Sequence, residues 1–398
     1  MRGGDGRKLR AFNERLVLSA VLGAEKQRLS KAEIARATGL SGQAARMITD
    51  ALTEEGLLRK LSKVRGQVGQ PSTPYAPDPD GAFSLGVKIG RRKLETVLVN
   101  LVGEVVAADG APHDAPWPEP TMAAACAMAR GLLGALPPAR RARVTGLGVA
   151  MPGDLHAWPE EMGVAPDALS GWKGIDPAAI LSEATGIEAE LINDGAAACA
   201  AEAFRGGGAA PGGSMLYFHI GAFCGGGLMI DGRLQRGARG NAGALASMPI
   251  GGRDARGRPR QLLHVASSLV LERMLDAQGL GGPNCVGEPP FPARQAVFET
   301  WASEAAPALA RAAASACAVY DFEDVVIDGV LWGGWRRQLV HMVRRSFLDG
   351  ANLSGLSVPR IGPGALGGDA RVLGAALLPL HERFSPDPGR LTPHPRGA

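Results

Sequence analysis

Apolar residues at helical spacing, Ile34 with Ala35 and then Leu40, Ala45, Ile48 and Leu52, mark two short helices around a sharp turn within residues 30–58. Ser30 and Glu33 stand at the S-x-x-E spacing of a capping box, which predicts the start of the first helix, and Gly39 predicts its end. The second helix is expected over about Ser41–Glu55, with its apolar stripe on a core and Gln43, Arg46, Met47 and Asp50 on the opposite face. A helix sealed on one side and open on the other, preceded by a near-perpendicular partner, is the reading element of a helix-turn-helix, whose early residues reach base edges in the major groove. Ser41, Gln43, Arg46 and Met47 are therefore the candidates for base contact.

An ordinary helical pair inside a larger core shows the same periodicity, so charge decides between the two. Residues 1–75 carry 14 Lys and Arg against 7 Asp and Glu, whereas the rest of the chain carries 29 against 32. Positive charge is concentrated in the piece with the DNA-reading pattern, as neutralisation of phosphates requires. After Gly56, residues Leu57–Val68 read as a short hairpin turning near Gly66. Arg59, Lys60, Lys63 and Arg65 on it would touch phosphate or the minor groove, like the wing of a winged helix-turn-helix.

Beyond this head the periodicity changes. The Pro-rich stretch Gln70–Gly81 reads as a joint, with Tyr75 able to extend a strand into the wing. Residues 83–100 alternate like two strands about a Gly-containing turn, and a third apolar run follows at Val105–Ala108. Val144–Gly153 reads as a buried strand ending in Pro-Gly. Glu190–Glu202 reads as a strand that ends in Asn193 and Asp194 and opens into an Ala-rich helix. Met215–Ile220 leads into the glycines 225–227 and a return strand ending at Asp231-Gly232. Strands alternating with helices predict an α/β body with polar groups at strand carboxyl ends, where clefts form.

At 398 residues, with 45% hydrophobic positions, the chain is long enough for two domains after the head. Its five cysteines are scattered without C-x-x-C pairs, so neither a disulfide framework nor a zinc cluster is expected. A polar, basic N-terminus and the lack of an apolar run near ~18 residues predict a cytoplasmic protein with no membrane span.

The order and spacing of LGVKIG, VAMPGD, INDGAAACAAE, HIGAFCGGGLMIDGRLQRGARGNAG and LGGDARVLGAA resemble the ROK family (repressors, open reading frames and sugar kinases) from about residue 10 to 380. That resemblance implies an actin-like ATPase fold of two lobes that close over sugar and ATP. Members with a winged helix-turn-helix in front resemble sugar-responsive regulators; those without one are sugar kinases.

Departures from the family pattern bear on activity. Where the family's first phosphate loop has D-x-G-x-T, this chain has Lys88, Gly90 and Arg92, which read either as an anion site or as solvated or ion-paired surface residues. The second loop, G-T-G-x-G-G in the family, is Gly221 to Gly226 with Phe223 at a position where small residues let backbone N–H groups approach phosphate. The family's G-E-x-x-H sugar stretch is Gly243 to Ser247, with Ala244 and Ser247 in place of Glu and His. Its zinc thiolates and second sugar-binding Glu align with Asp254, Arg256, Gln261 and Leu263, leaving His264 as a lone histidine. Asn193 and Asp194 match the family's sugar-contacting Asn and its catalytic base. Helix capping and ligand contact are both open for them.

The expectation is an α/β protein: a winged helix-turn-helix (residues 1–80 with the joint), a first lobe (81–195), a second lobe (196–383) and a loose tail (384–398). It would bind double-stranded DNA as a homodimer or homotetramer and repress transcription. Its body would sense a sugar or sugar derivative at Asn193 and Asp194, without kinase activity, cofactor or metal. An ATP-dependent sugar kinase and a ligand-independent DNA-binding scaffold are the alternatives.

Overall fold

Both halves of the capping box form: the Ser30 hydroxyl accepts from the Glu33 N–H, and the Glu33 carboxylate accepts from the Ser30 N–H at 2.7 Å. They start helix α2 (Lys31–Thr38), which Gly39 ends with a left-handed φ of 69°. The computed structural model describes residues 3–62, 73–153, 155–157, 159, 164–165, 167–207, 212–253, 257–351 and 355–386. Helix α3 (Gly42–Glu54) follows after Leu40, a half-buried turn residue, and buries Ala45, Ile48, Thr49 and Leu52. A longer helix, α1 (Gly3–Leu22), packs Val17, Leu18 and Val21 behind them. Three short strands, β1 (Leu29–Ser30), β2 (Leu58–Lys60) and β3 (Pro74–Pro77), complete the head as an antiparallel sheet in the order β1-β3-β2.

The sheet corrects the reading of the Pro-rich joint. The strand that returns against β2 is β3, pairing Leu58 with Pro77 and Lys60 with Tyr75. The return strand thus lies beyond the expected bounds Leu57–Val68 and includes Tyr75, which was expected to be able to extend a strand into the wing, and Lys63, Arg65 and Gly66 lie outside the described residues. Prolines are tolerated in this central strand because Pro74 and Pro77 occupy its two ends, where a missing N–H breaks little of the ladder. All four β3 residues are buried, so the stretch works as head core and not as a spacer.

Head and body share one apolar cluster. Ile34, Ile48, Leu52 and Leu58 of the head join Val97, Val99 and Leu101 of the body and Leu373, Ala376, Leu377 and Leu380 near the chain's end. Arg143 fastens the joint by donating to the Gly81 and Glu55 carbonyls at 2.9 and 3.2 Å.

The body repeats one topology twice. In the first lobe β4 (Phe83–Ile89), β5 (Lys93–Asn100), β6 (Val105–Pro112), β7 (Val144–Met151) and β8 (Ala189–Asn193) lie in the order β6-β5-β4-β7-β8. In the second, β9 (Met215–Ile220), β10 (Cys224–Ile230) and β11 (Arg233–Gln235) precede a small hairpin of β12 (Pro249–Arg253) and β13 (Pro259–Gln261). With β14 (Asp324–Gly329) and β15 (Arg360–Pro363) the second sheet runs β11-β10-β9-β14-β15. In each sheet the first three strands are antiparallel and the last two parallel. The third run expected at Val105–Ala108 extends through Pro112.

Each sheet's last strand feeds a helix, α4 (Asp194–Ala201) after β8 and α5 (Ala370–Phe384) after β15, and these two pack on each other between the lobes. Glycine permits this approach: a Cβ on Gly374 would lie 1.8 Å from the Ala197 carbonyl oxygen, and one on Gly148 2.0 Å from that of Ala375. The second lobe's core centres on Phe298, Trp301 and Trp335, with the Phe298 and Trp335 rings stacked at 4.6 Å. Among the described residues no helix is long and apolar enough to cross a membrane. The expected tail from 384 lies outside the described residues beyond Pro386.

Candidate nucleic-acid interface and interlobe cleft

Helix α3 has two opposite faces. Burial of Ala45, Ile48, Thr49 and Leu52 turns Gln43, Arg46 and Met47 outward, with Met47 65% exposed. Ser41 caps the helix by accepting from the Ala44 N–H at 3.2 Å, so its hydroxyl orders the helix start while staying at the surface. Asp50 would be a hazard near phosphate, but Lys31 holds its carboxylate at 2.5 Å and Arg46 stands 3.9 Å from it. A solvent-exposed contact of that length constrains the Arg46 guanidinium weakly. Arg59 and Lys60 are exposed on β2, while Lys63 and Arg65 lie outside the described residues.

Between the lobes lies a cleft of about 860 Å³. Asn193 and Asp194 meet it at the β8–α4 junction. Asn193 is the N-cap of α4, its side-chain oxygen accepting from the Gly195 and Ala196 N–H groups at 2.9 and 3.3 Å. Asp194 is instead ion-paired, its carboxylate 3.2 Å from Nη1 of Arg371 in the first turn of α5.

The two β-hairpin tips face this cleft from opposite lobes, and their side chains are committed to partners. Lys88 is 5% exposed and bonds the Glu95 carboxylate, which also receives Lys93 at 2.8 Å. Burial, reinforced by the nearby Arg371 charge, pushes the Lys88 ammonium down to about 8. The reading of Lys88 as a surface residue is thus corrected: the β4–β5 pairing turns it inward opposite Glu95. Arg92 remains exposed and ion-paired, crossing to Glu272 of the second lobe. Arg91 lies over the Phe223 ring at 3.8 Å, a cation–π contact that joins the two tips. His219, at the end of β9, is buried beside Arg371, Lys88 and Arg336; burial first and those charges second hold it neutral, far below its usual range.

This arrangement fits phosphoryl transfer from a metal–nucleotide poorly. The position that would place a carboxylate near the metal holds a buried ammonium, and the loop that would admit backbone N–H groups to phosphate carries a ring capped by a guanidinium. The general-base position, Asp194, is tied to a cation. A tetrahedral zinc site fits no better among the described residues: Leu263 is a buried hydrocarbon, Gln261 lies in β13 and His264 is exposed without a nearby ligand set. Asp254 and Arg256 lie outside the described residues. Ala244 and Ser247 line the cleft.

Reading the sequence missed Arg91, His219, Arg236, Arg239 and Arg371, all of which line the cleft. Two signals were available. Arg91 sits between the noted Gly90 and Arg92, and Arg371 lies inside the LGGDARVLGAA segment, yet only the fold brings β4–β5 and α5 to one place.

Comparison with known proteins agrees with the duplicated two-lobed body. Residues 84–259 match the family model described as "ROK family". An uncharacterised protein, y4fQ, from Sinorhizobium fredii is 26% identical over 380 residues, covering 94% of this chain and 92% of that one. The bifunctional enzyme NanE/NanK of Brucella melitensis is 34% identical over 225 residues, 55% of this chain but only 39% of the enzyme. A crystal structure of a ROK family transcriptional regulator, a homologue of the E. coli MLC protein, superposes with a TM-score of 0.66 at 18% identity, covering 96% of this chain and 99% of that one. The fold, head included, is therefore shared with that structure, and the chain carries a domain of the ROK family.

Proposed function

We propose that the protein is a cytoplasmic transcriptional repressor that binds double-stranded DNA through its head, acts as a homodimer or homotetramer, and responds to a sugar-like effector in the interlobe cleft. In this reading residues 1–80 form the DNA-binding unit, 81–195 and 196–383 the two lobes, and 384–398 a tail. The observation that carries it is the outward face of α3, where Gln43, Arg46 and Met47 stand free of the core on a helix closed by Ser41. Gln suits adenine and Arg suits guanine in the major groove. One such helix buries little surface, and paired heads on a two-fold axis would read paired half-sites. The whole-length likeness to the structure of a ROK family transcriptional regulator supports this, and the Arg91–Phe223 and Lys88–Glu95 contacts, where a kinase would hold phosphate and metal, argue against turnover. The likeness to NanE/NanK is the reason a kinase stays the rival.

The test maps genomic sites bound by the full chain and compares affinities for the enriched sequence and for random duplex. Selective binding that depends on Arg46 is expected. Equal affinity for both would overturn the regulator reading. Sugar phosphorylation by ATP that disappears in Asp194→Asn would replace it with a kinase.

A further inference from the structure

Two buried polar atoms at the back of the cleft have no hydrogen-bond partner among the described residues: Nε2 of His219, a residue 2% exposed, and Nε of Arg371. They are neighbours. A Cβ placed on Gly221 would lie 3.4 Å from the His219 ring and 3.5 Å from Nη1 of Arg371, so both side chains flank the same turn at the end of β9. Gly225, two residues beyond Phe223, borders open space where an added Cβ would meet nothing within 4 Å. The wall is strongly biased in charge: Arg91, Lys173, Arg236, Arg239 and Arg371 line the cleft, against the single carboxylate Asp194 among the described lining residues. Arg236 is partly spent on Glu190 and Glu382, but among the described residues Arg371 has only Asp194 as an ion-pair partner, at 3.2 Å.

In the tautomer where Nδ1 of His219 accepts from the Tyr217 hydroxyl, 3.2 Å away, Nε2 carries the ring hydrogen, and two adjacent buried donors without partners are hard to reconcile with a cleft that works empty. We infer that the cleft takes a sugar-sized anion, its phosphate or carboxylate seated on Arg371 and His219 beside Gly221 in competition with Asp194. This rests on the proposed effector cleft and names the chemistry of its ligand. The consequence reaches the head. Arg371 opens α5, and Leu373, Ala376, Leu377 and Leu380 of the same helix sit in the apolar cluster that holds Ile48, Leu52 and Leu58. A ligand that draws Arg371 away from Asp194 therefore acts on the helix that seats the head, which is the differential contact a ligand switch requires.

The experiment titrates the full chain by calorimetry at constant ionic strength with glucose 6-phosphate, glucuronate, inorganic phosphate and glucose. At least one of the three anions should bind with a Kd of about 1 mM or tighter, and glucose more weakly. The phosphate and carboxylate arms tell which anion is preferred. Arg371→Gln should weaken that anion about tenfold or more, with Arg371→Lys in between. Asp194→Asn should tighten it about tenfold by removing the competitor, whereas a merely structural ion pair predicts no gain. Glucose binding as tightly as the anions, Arg371→Gln binding them like the wild type, or no anion bound by either the wild type or Asp194→Asn would each overturn the inference. Operator binding by the same preparations keeps the two readings apart: selective DNA binding without anion binding sinks this inference alone, and loss of selectivity sinks the reading beneath it.

Discussion

In the head, Gln43, Arg46 and Met47 extend into solvent from a helix whose other face is sealed, whereas Arg91 and Arg371 in the cleft, and Lys88 and Arg92 on the hairpin beside it, are each engaged by a protein partner. The contrast follows from what each surface would meet. A polyanion as large as a duplex gains from exposed, loosely held cations that release its counterions. A small ligand in a narrow cleft needs charges already desolvated and fixed in direction, and these are stable only when neighbours neutralise them. Side chains of the same type thus serve opposite ends: Arg46 has 75% of its side chain exposed, and Arg371 only 12%.

The comparison can be broken first at the head's core. Leu52, 2% exposed, lies in the cluster that runs from the head into α5. Leu52→Ala should cost about 2–5 kcal/mol and abolish operator binding. Because the cluster is continuous, denaturant unfolding should stay a single transition; a separate early step would show that the head is an independent bead.

Lys88→Met should act in the opposite sense, stabilising by about 1–3 kcal/mol at pH 7, since burial and the Arg371 charge outweigh the attraction of Glu95 in disfavouring the Lys88 ammonium, and Glu95 keeps Lys93. The pH dependence has a definite sign. With Lys88 held at about 8 in the folded protein against 10.5 normally, the unfolded chain binds the extra proton between those values. Wild-type stability therefore rises with pH across that window. The advantage of Lys88→Met, full below pH 8, should fade toward pH 10.5 in paired thermal melts; a constant advantage would contradict a buried, charged lysine.

Arg46→Ala should reduce discrimination between operator and random DNA by about 1–3 kcal/mol, measured as the ratio of two affinities. An unchanged ratio with the fold intact would remove α3 as the base reader. The smallest effect is expected for Lys60→Ala on the exposed side of β2. It should weaken both DNAs alike and lower the slope of log affinity against log salt by about 1. A sequence-dependent loss would make β2 a reader instead.

The head was legible because its signals are local. The capping box of Ser30 and Glu33, the left-handed Gly39 and the spacing of Ala45, Ile48 and Leu52 act within a few residues, and α2 and α3 form within about a residue of their expected bounds. The joint was read in part: Tyr75 was allowed a strand, but Pro74 and Pro77 suppress strand signals locally, and only pairing with β1 and β2 makes all of Pro74–Pro77 a strand. Helix α1 went unread because its apolar residues crowd into one end, residues 16–22, after a mostly polar first half.

The sequence by itself determined the order of the body's main strands up to Asp231-Gly232, the Asn193–Asp194 junction and the loss of acid and thiolate side chains at positions 88, 244, 261 and 263, because each is a matter of residue type and short spacing. Tertiary structure alone decided which charges meet. Lys88 finds Glu95 through strand register, Arg91 finds Phe223 across two hairpin tips, and Arg371 reaches Asp194 from 177 residues away because Gly374 and Gly148 let α5 lie close against α4 and the first sheet. Charge interactions depend on distance and burial in three dimensions, and neither is written in the spacing along the chain.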